Sequence, residues 1–599
     1  MDKYTIAPPA GSTNNGLGAE DRPWKEGHFE KLVADDVMAK GPVVDVRAFG
    51  AKGDGVTDDT AAIQAAIDSN NVVIIPNGEY KITDYIMLPS NITLLVLGKI
   101  NCYNCRAGLV CANSSNVTID GMGQGYLWDS IIKENYEWNT AIDGLTTLIN
   151  IRQSRNIVVK NITIEWFTYG VMVSNWTQNR YQTGQPELSG TSENIILDNI
   201  KATHGCLSAI TAYNGINITM TNKYIYRCGD GGIWMMGCSD SCISNNYRIT
   251  DDNGGSLYPN DQQGICAEAC TRLSIDDNIV CGFSSYGIDV KNSCKYVNIR
   301  YNKVTRCQTG IVTREGDAVD NPCYNITIKG NNIDNSGTHH TLFGGAIEIE
   351  ESFNFSIEGN EIGKISTFHA INCKCNKFLV MNFPQNPSVN TLVIKDNVFR
   401  FLYGTDTNNA PSCIRINGEY VNVYVDGNVI DATRFFTVDT ADTISPAIEI
   451  NYTQISVQPV NIPVKVKISN NDILAWAGNG IKVVGGEDYY GQNLLLTENT
   501  ITYCRGIGIV IDKINRVIIN GNDIHGNGSE SSNVKISQSN NLRICANNLF
   551  QRDMGGVSGT TYSIELDTVD NAVITNNILG AAWGTVSQNN CTNITIYNN

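Results

Sequence analysis

One asparagine recurs along this chain in the same local frame: a β-branched strand, two spacer residues, Asn, one further residue and then an aliphatic side chain. Successive anchors lie roughly 23 to 43 residues apart, a period range typical of solenoids and propellers. The frame therefore constrains the architecture before any catalytic residue is considered. The anchors are Asn278, Asn302, Asn331, Asn360, Asn397, Asn428, Asn471, Asn499, Asn522 and Asn547.

The bulk properties exclude some classes of protein. A chain of 599 residues ordinarily forms several domains, but a solenoid of this length can be a single unit. The formal net charge is −17, which argues against nucleic acid as a partner. No apolar run is long enough to predict a membrane span. The first residues show no pattern of a charged and then apolar signal peptide.

Several of the 19 cysteines follow the repeat. Four of them lie eight residues before an anchor, and Ser352 holds the same slot before Asn360. Equivalent slots of a solenoid stack in columns, so we predict buried, reduced thiols formed in a reducing cytoplasm, rather than disulfides or a metal site. The single pair Cys102 and Cys105 is weak support for zinc. The four cysteines are Cys238, Cys270, Cys294 and Cys323.

The N-terminal region divides into three predicted parts. Residues 1–25 are rich in Pro, Gly, Asn and Thr and are typical of a flexible arm. Residues 26–42 place an apolar stripe, including Phe29 and Val33, on a short helix. This helix is interpreted as a neck between identical chains, with a helix folded back on its own domain as the alternative.

Residues 43–75 predict a cap for one end of the solenoid. Val44 to Phe49 alternate as a strand, a glycine-rich turn follows, and Asp58 or Asp59 can cap a helix. That helix carries one apolar face, formed by Ile63, Ala66 and Ile67. The turn GAKGDG lacks the Gly-Lys-Ser/Thr ending of a phosphate-binding loop.

The segment VDVRAFGAKGDGVTDDTAAIQAAID resembles the N-terminal signature of the pectate-lyase-superfamily domain of phage tailspikes, pre-neck appendages and capsule depolymerases. The resemblance implies an all-β, right-handed, single-stranded parallel β-helix over residues 76–599, with three short strands per coil and usually a homotrimer. Short β-rich runs after Asn70, with no second helical pattern, agree with this fold. Asn599 reaches an anchor slot, so we expect a further C-terminal part, missing or cleaved.

A second frame, small residue–Ile–x–aliphatic–x, predicts another strand of each coil. Its alternate residues should face solvent and form two columns along the axis. Carboxylates concentrate in these columns between Glu268 and Glu350. The first column is Trp234, Cys266, Asp289, Val312, Glu348, Asn372, Arg415 and Glu449; the second is Met236, Glu268, Lys291, Arg314, Glu350, Lys374, Asn417 and Asn451.

The spacing of these carboxylates suits glycoside hydrolysis. Asp289 and Glu348 should lie two coils apart, about 9.6 Å at the backbone, near the window of about 6.5–9.5 Å for an inverting glycosidase. Glu348 and Glu350 on one strand are the alternative pair. Lys291 and Arg314 would hold anionic sugars or position the carboxyls. The competing interpretation is a set of charge ladders on an exposed sheet.

Other residues are candidates for substrate binding. Trp234 can stack on a sugar, Glu268 belongs to the acidic patch, and Trp176 and Tyr258 lie in insertions that interrupt the repeat. The pairs Asp251–Asp252 and Asp276–Asp277 are similar to the aspartates of polygalacturonases, but the Gly-His-Gly and Arg-Ile-Lys motifs of that family are absent. His339 and His340 precede Glu348 in a loop.

Three functions fit this sequence. The first is a phage tailspike or appendage that binds and cleaves a host capsule, O-antigen or teichoic acid by carboxylate-assisted hydrolysis. The second is a non-catalytic adhesin of the virion, and the third is a secreted pectinolytic hydrolase or lyase. We expect no cofactor, although the carboxylates are compatible with calcium. The expected partners are two further copies of the chain, the host glycan and tail or collar proteins, in a virion assembled in the host cytoplasm.

Overall fold

The computed structural model describes most of the chain from Val43 onward, with gaps. It covers residues 43–135, 147–173, 190–229, 231–250, 263–315, 322–334, 345–363, 369–375, 390–400, 412–418, 420–432, 445–452, 465–486, 493–527, 532–550, 562–580 and 586–599. The predicted arm and neck, residues 1–42, lie outside this part, as do Trp176, Asp251, Asp252, Tyr258, His339 and His340.

The described chain winds into a parallel β-helix with three strands per coil, as predicted. Every strand pairs in parallel with the equivalent strand of the next coil, which sets equivalent residues about 4.8 Å apart. We call the three stacks row one, row two and row three, in the order in which the chain enters them within a coil.

Row one carries the second frame of the sequence. Its strands are Ile86–Met87, Ala107–Ala112, Thr147–Arg152, Tyr169–Val173, Ile210–Tyr213, Gly231–Met236, Gln263–Glu268, Tyr286–Lys291, Thr309–Arg314, Ile347–Glu350, Ile371–Cys375, Ile414–Gly418, Ile448–Asn451, Ile481–Val484, Ile509–Asp512, Val534–Ser537, Ile564–Asp567 and Val586–Asn589.

Row two precedes the anchor asparagines. Its strands are Val44–Asp45, Val72–Ile75, Thr93–Val96, Ser115–Asp120, Gly215–Thr221, Ser239–Ser244, Thr271–Asp276, Lys295–Arg300, Tyr324–Lys329, Phe353–Glu358, Thr391–Lys395, Asn422–Asp426, Lys465–Ser469, Asn493–Thr497, Arg516–Asn520, Asn540–Cys545, Asp570–Thr575 and Thr592–Tyr597.

Row three follows the anchors, and two long strands, Arg155–Phe167 and Ser192–Gly205, run through both row two and row three. The other strands of row three are Asp54–Asp58, Glu79–Ile82, Lys99–Cys102, Tyr126–Trp128, Tyr224–Cys228, Arg248–Thr250, Ile279–Cys281, Lys303–Thr305, Asn332–Asp334, Glu361–Ile362, Val398–Arg400, Val429–Asp431, Asp472–Leu474, Thr500–Thr502, Asp523–His525, Asn548–Phe550 and Ile578–Gly580.

The anchor asparagines form an unbroken buried ladder, which we call the inner ladder. Each side-chain Nδ2 donates to the Oδ1 of the next anchor at 2.7–3.0 Å, from Asn246 to Asn599. Asn302 shows the full pattern: its backbone N donates to Asn331 Oδ1 at 2.9 Å and its Nδ2 also donates to the Ile275 carbonyl at 2.8 Å. The predicted stacking of asparagine is confirmed, and it satisfies polar groups of the turn that would otherwise be buried unpaired.

A lysine occupies the slot before the first asparagine of this ladder. The backbone N of Lys223 donates to Asn246 Oδ1 at 3.0 Å, as a ladder asparagine would. Its Nζ donates to the Leu197 and Thr221 carbonyls, and the side chain is fully buried. Burial lowers the pKa of Lys223 to about 7, against the opposing charge of Asp198.

A second ladder lies on the outside of the coils, and the repeat frame did not predict it. We call it the outer ladder: Asn116 donates to Asn91, Asn156 to Asn116, Asn194 to Asn156 and Asn217 to Asn194, at 2.8–3.0 Å. All five residues have positive φ and their amide bonds are exposed. Asparagine tolerates this left-handed conformation better than most residues, which explains its recurrence at this turn.

All 19 cysteines are free, and 15 of them are buried. In the predicted column, the Cys294 thiol donates to the Ala267 carbonyl at 3.5 Å and its sulfur accepts from Cys270 N at 3.2 Å. Ser352 in this slot donates to the Glu350 carbonyl two residues before it, as Cys270 donates to the Glu268 carbonyl. Burial raises the pKa of the Cys294 thiol well above its ordinary value. The predicted burial of the cysteine column is confirmed.

The cap agrees with the prediction in its helix, Thr60–Ser69, whose Ile63, Ala66 and Ile67 are buried. Asp58 accepts from the Thr60 backbone N at 3.0 Å. The buried Asp59 instead accepts from Lys52 and Gly53 in the glycine-rich turn. At Gly53, with φ of +60°, a Cβ would lie 2.8 Å from the Tyr80 ring, so this turn requires glycine.

Two local predictions are wrong. Only Val44–Asp45 is a strand, and Val46–Phe49 is a 3-10 helix. The Asp45 carboxylate accepts from both the backbone and the guanidinium of Arg47, which curls the chain after two residues. The second correction is a short helix, Ser130–Glu134, after Asn70, where no helix was expected; the Asp129 side chain accepts from the backbone N of Ile131 and of Ile132.

Candidate functional site

The backbone register of row one brings the predicted acidic residues onto one wall. Trp234 pairs with Cys266, Cys266 with Asp289, Asp289 with Val312, and Val312 with Glu348. Asp289 and Glu348 are therefore two coils apart, about 9.6 Å at the backbone. In the second column, Met236 pairs with Glu268, Glu268 with Lys291, Lys291 with Arg314, and Glu350 with Lys374.

Asp289 does not face solvent, and that expectation is wrong. The residue is fully buried, and its column neighbours Cys266 and Val312 are buried as well. Arg314 in the next coil holds both carboxylate oxygens, with Nε donating to Oδ1 at 3.1 Å and Nη2 to Oδ2 at 2.8 Å. Burial raises the pKa of Asp289, and the hydrogen bonds and charge of Arg314 oppose the rise. Asp289 is thus placed to position Arg314.

The two basic residues of the patch differ in exposure. The Arg314 side chain keeps 19% of its surface exposed, and its guanidinium lies over the Tyr286 ring at 4.9 Å from the centroid. Two neighbours therefore fix this cation, the Asp289 carboxylate and an aromatic face. Lys291 is buried, against the expectation of an exposed column. Arg314 is the better placed of the two to meet an anionic group.

Glu348 and Glu350 form an acid pair with contrasting surroundings. Glu348 is half-buried and accepts from the Gly345 backbone N at 3.1 Å, while Glu350 is exposed. Burial, together with the charge of Glu350, raises the pKa of Glu348 to about 7. Two residues apart on one strand, their backbones are about 6.5–7 Å apart. A carboxyl that holds its proton near neutral pH therefore lies beside an exposed carboxylate.

The predicted binding residues that the structure describes lie on the same wall, several coils before this pair. Trp234 is half-buried on the same wall, with its ring 5.8 Å from that of Tyr213. Glu268 accepts from Asn292 Nδ2 at 2.6 Å. The predicted roles of Trp176 and Tyr258 stay predictions, because both residues lie outside the described part of the chain.

One polar cluster next to Glu348 was missed. His369 lies at the start of the following coil, where Ser412 N contacts its Nδ1 at 2.9 Å and Arg415 Nη1 contacts its Nε2 at 3.0 Å. Burial and the charge of Arg415 lower the pKa of His369 to about 4, so it is neutral at physiological pH. The available signal was its place directly before the small residue–Ile frame, in the segment FHAINCK.

Among the described residues, no group of three or more His, Cys, Asp or Glu side chains is arranged to hold a metal ion. Calcium remains an untested prediction. Within the same residues, no helix is both long and apolar enough to cross a membrane.

Family models identify the class of protein. The model described as "Right handed beta helix region" matches residues 147–311, 187–362 and 453–599, more than half of the chain. The chain belongs to the right-handed β-helix family. A second model, "Rhamnogalacturonase A/epimerase, pectate lyase-like", matches residues 43–104, which include the predicted signature.

Individual relatives confirm the resemblance to phage appendages. The chain is 28% identical over 218 residues to the pre-neck appendage proteins of Bacillus phages phi29 and PZA, a match that covers 34% of this chain and 25% of each relative. It is 30% identical over 125 residues to alginate lyase 7 of Azotobacter vinelandii, covering 20% of this chain and 12% of that enzyme. The pre-mature phi29 gene product 12 structure shares 14% identity at a TM-score of 0.43, covering 92% of this chain and 72% of that one.

Proposed function

We propose that this chain is the glycan-binding and glycan-cleaving shaft of a phage appendage or tailspike. The relatives named pre-neck appendage proteins support the assignment to a virion, and the relatives named alginate lyase and mannuronan C5-epimerase support activity on a glycan. The observation that carries the catalytic proposal is Glu348, a half-buried carboxyl whose pKa is raised to about 7, beside the exposed Glu350.

In the proposed reaction, Glu348 protonates the leaving glycosidic oxygen and Glu350 takes a proton from the attacking water. The bond between the anomeric carbon and that oxygen breaks as water oxygen bonds to the anomeric carbon, so the products are a new reducing end and a free hydroxyl. The backbone separation of about 6.5–7 Å allows the carboxyls to lie in the window of about 6.5–9.5 Å that inverting glycosidases use.

Asp289, paired with Glu348 in the sequence-based hypothesis, takes a different role in this proposal. Its carboxylate is committed to Arg314 and is buried, so it positions the guanidinium and does not exchange a proton with water. Arg314 would bind a carboxylate or phosphate of the glycan, and Trp234 would pack against a sugar face.

The test is turnover of host-envelope glycans. We expect new reducing ends with the wild-type chain, and a loss of about 10²- to 10⁴-fold in kcat for Glu348→Gln, the usual contribution of a general acid. Glu565→Gln is the matched control, since Glu565 lies in the same outward column beside Lys535, several coils away. Products that absorb in the ultraviolet, as unsaturated uronates do, would show that the reaction is an elimination and not a hydrolysis.

Two outcomes would contradict the catalytic proposal. Turnover that survives in both Glu348→Gln and Glu350→Gln would place the reaction elsewhere. Binding of the glycan without any new ends would make the chain an adhesin.

Assembly belongs to the same proposal. A homotrimer, joined through the predicted neck at residues 26–42 and carried on the virion, is expected to sediment at three times the mass of the 65.5-kDa chain. A monomer under the same conditions would overturn it.

A further inference from the structure

A surface of row three, away from the acid pair, combines tyrosines with cations. We call it the tyrosine–cation surface, and it consists of Tyr126, Lys201, Tyr224, Tyr226, Arg227 and Arg248. The register places them in neighbouring coils: Lys201 pairs with Tyr224, and Tyr224 with Arg248. Tyr126 lies earlier in the same column, one coil before Thr163 and two before Lys201.

The cations of this surface are held against aromatic rings. Lys201 Nζ and the Arg248 guanidinium each lie 5.7 Å from the centroid of Tyr224, which stands in the coil between them. Arg227 lies 5.2 Å from the centroid of Tyr226. Lys201 and Arg248 are exposed and two coils apart, about 9.6 Å at the backbone. The β-helix therefore presents positive charges at a fixed interval.

The carboxylate next to this surface, that of Glu165, already has three hydrogen-bond donors. Glu165 accepts hydrogen bonds from His204 Nδ1, the Tyr126 hydroxyl and the Thr203 hydroxyl. These bonds, that of His204 first, lower the pKa of Glu165 to about 2. His204 also stacks on Trp166, with ring centroids 4.4 Å apart. The surface is thus a partly aromatic region that carries Lys201, Arg227 and Arg248, on a chain whose formal net charge is −17.

We propose that the tyrosine–cation surface binds an anionic polysaccharide, as a site separate from the acid pair of row one. Cations held two coils apart match acidic groups that recur along a polymer, and tyrosine, tryptophan and histidine rings suit the apolar faces of sugars. A nucleic acid fits less well, because duplex DNA brings one negative charge per about 1.7 Å to a strongly acidic chain. The site does not depend on turnover at Glu348.

The experiment measures binding by the full chain carrying Glu348→Gln, so that cleavage does not consume the probe. The probes are polygalacturonate for carboxylates, a glycerol-phosphate teichoic acid for phosphates, and dextran as an uncharged polymer. We expect salt-sensitive binding of at least one anionic polymer and none of dextran. Adding Lys201→Ala and Arg248→Ala should weaken that binding by about tenfold or more.

The matched control removes two cations that also lie over tyrosines, but in row two. Lys295 lies 5.5 Å from the Tyr324 centroid and Lys465 lies 5.6 Å from the Tyr424 centroid. Lys295→Ala with Lys465→Ala changes the net charge equally and should leave the affinity within about twofold. Thermal unfolding compares the folds, and Lys201→Gln with Arg248→Gln repeats the test with longer side chains.

Three results would overturn the proposal. The first is an equal loss of affinity in both pairs of variants, which would mean that binding depends on the net charge of the chain and not on this surface. The second is unchanged affinity in both the Ala and the Gln variants of Lys201 and Arg248. The third is tighter binding of a single-stranded DNA oligomer than of either anionic polysaccharide.

Discussion

The inner and outer asparagine ladders use the same bond in two environments. Asn331 donates to Asn360 at 3.0 Å and Asn156 donates to Asn116 at 2.9 Å, but the first pair is buried and the second is exposed. Water can replace any bond that the outer ladder loses, whereas nothing replaces a bond of the inner ladder. Burial, rather than geometry, therefore decides what each ladder contributes to stability.

The largest effect should come from Asn331→Asp. A carboxylate of the same shape cannot donate to Asn360 Oδ1 or to the Ile299 carbonyl, the two acceptors that Asn331 Nδ2 meets at 3.0 and 2.9 Å. We expect a loss of at least about 4 kcal/mol in the free energy of unfolding, measured by denaturant titration, since a buried charge is added to unsatisfied acceptors. A loss below about 1 kcal/mol would contradict the conclusion that burial makes the inner ladder more important for stability than the outer ladder.

The two arginine forks extend the comparison to ion pairs. Arg314 holds the fully buried Asp289, while Arg272 holds Asp240, whose side chain is 45% exposed. Arg314→Met should cost about 3–5 kcal/mol at pH 7, because it leaves a buried carboxylate without its partner. Arg272→Met should cost much less, because both groups of this exposed pair keep their hydration. Chemical denaturation measures both.

The pH dependence of that cost has a definite sign. Without Arg314, the largest remaining influence on Asp289 is burial, which raises its pKa further above the unfolded value, with the charges of Lys291 and Glu268 acting in opposite directions. The cost of Arg314→Met is then present above the unfolded pKa and shrinks as pH falls and Asp289 takes up a proton. A cost that grows on acidification would contradict this account.

Lys223→Asn should stabilise the fold by about 1–3 kcal/mol at pH 6. An asparagine there can donate to Asn246 Oδ1 and to the Leu197 carbonyl, so it extends the inner ladder and removes a buried amine. The lysine pKa is lowered to about 7 in the fold, so its protonated form disfavours folding most below pH 7. The gain should therefore shrink as pH rises from 7 towards the unfolded lysine pKa of about 10.4. Unfolding at pH 6 and pH 9 measures the difference, and Lys223→Gln is the control for removal of charge alone.

The smallest effect should come from Asn156→Asp in the outer ladder. Aspartate also tolerates positive φ, and water replaces the lost donor to Asn116. The change in unfolding free energy should stay within about 0.5 kcal/mol. This is the same substitution as Asn331→Asp, so a comparable loss at both sites would show that burial is not the deciding factor.

The sequence predicted the features that repeat from coil to coil. It did not predict features that depend on how neighbouring side chains pack. The inner ladder and the pairing of Asp289, Val312 and Glu348 followed from periodicity, because equivalent slots of a solenoid must stack. The burial of Asp289 did not follow, since it depends on where Arg314 and Tyr286 place their side chains in adjacent coils. Alternation along a strand assigns the side of the sheet, but it does not show what covers that side.

Two further differences have local causes. Val46–Phe49 alternates like a strand, but the contact of Asp45 with Arg47 turns it into a 3-10 helix. The outer ladder has a sequence signal, Ser-x-Asn at Ser154 and again at Ser192. That signal is hard to recognise because it occurs in only some coils and because exposed turns admit other residues, such as Asp240 and Arg272.

The inner ladder also has a direction. Each asparagine Nδ2–H donates to the Oδ1 of the anchor in the coil that follows it in the chain. Each added coil therefore supplies the acceptor for a donor in the coil before it. The β-helix can thus grow by adding one coil at a time, in the order in which the ribosome releases the chain. Folding during synthesis would then need one nucleus in the coils before Asn246, followed by the addition of one similar coil after another.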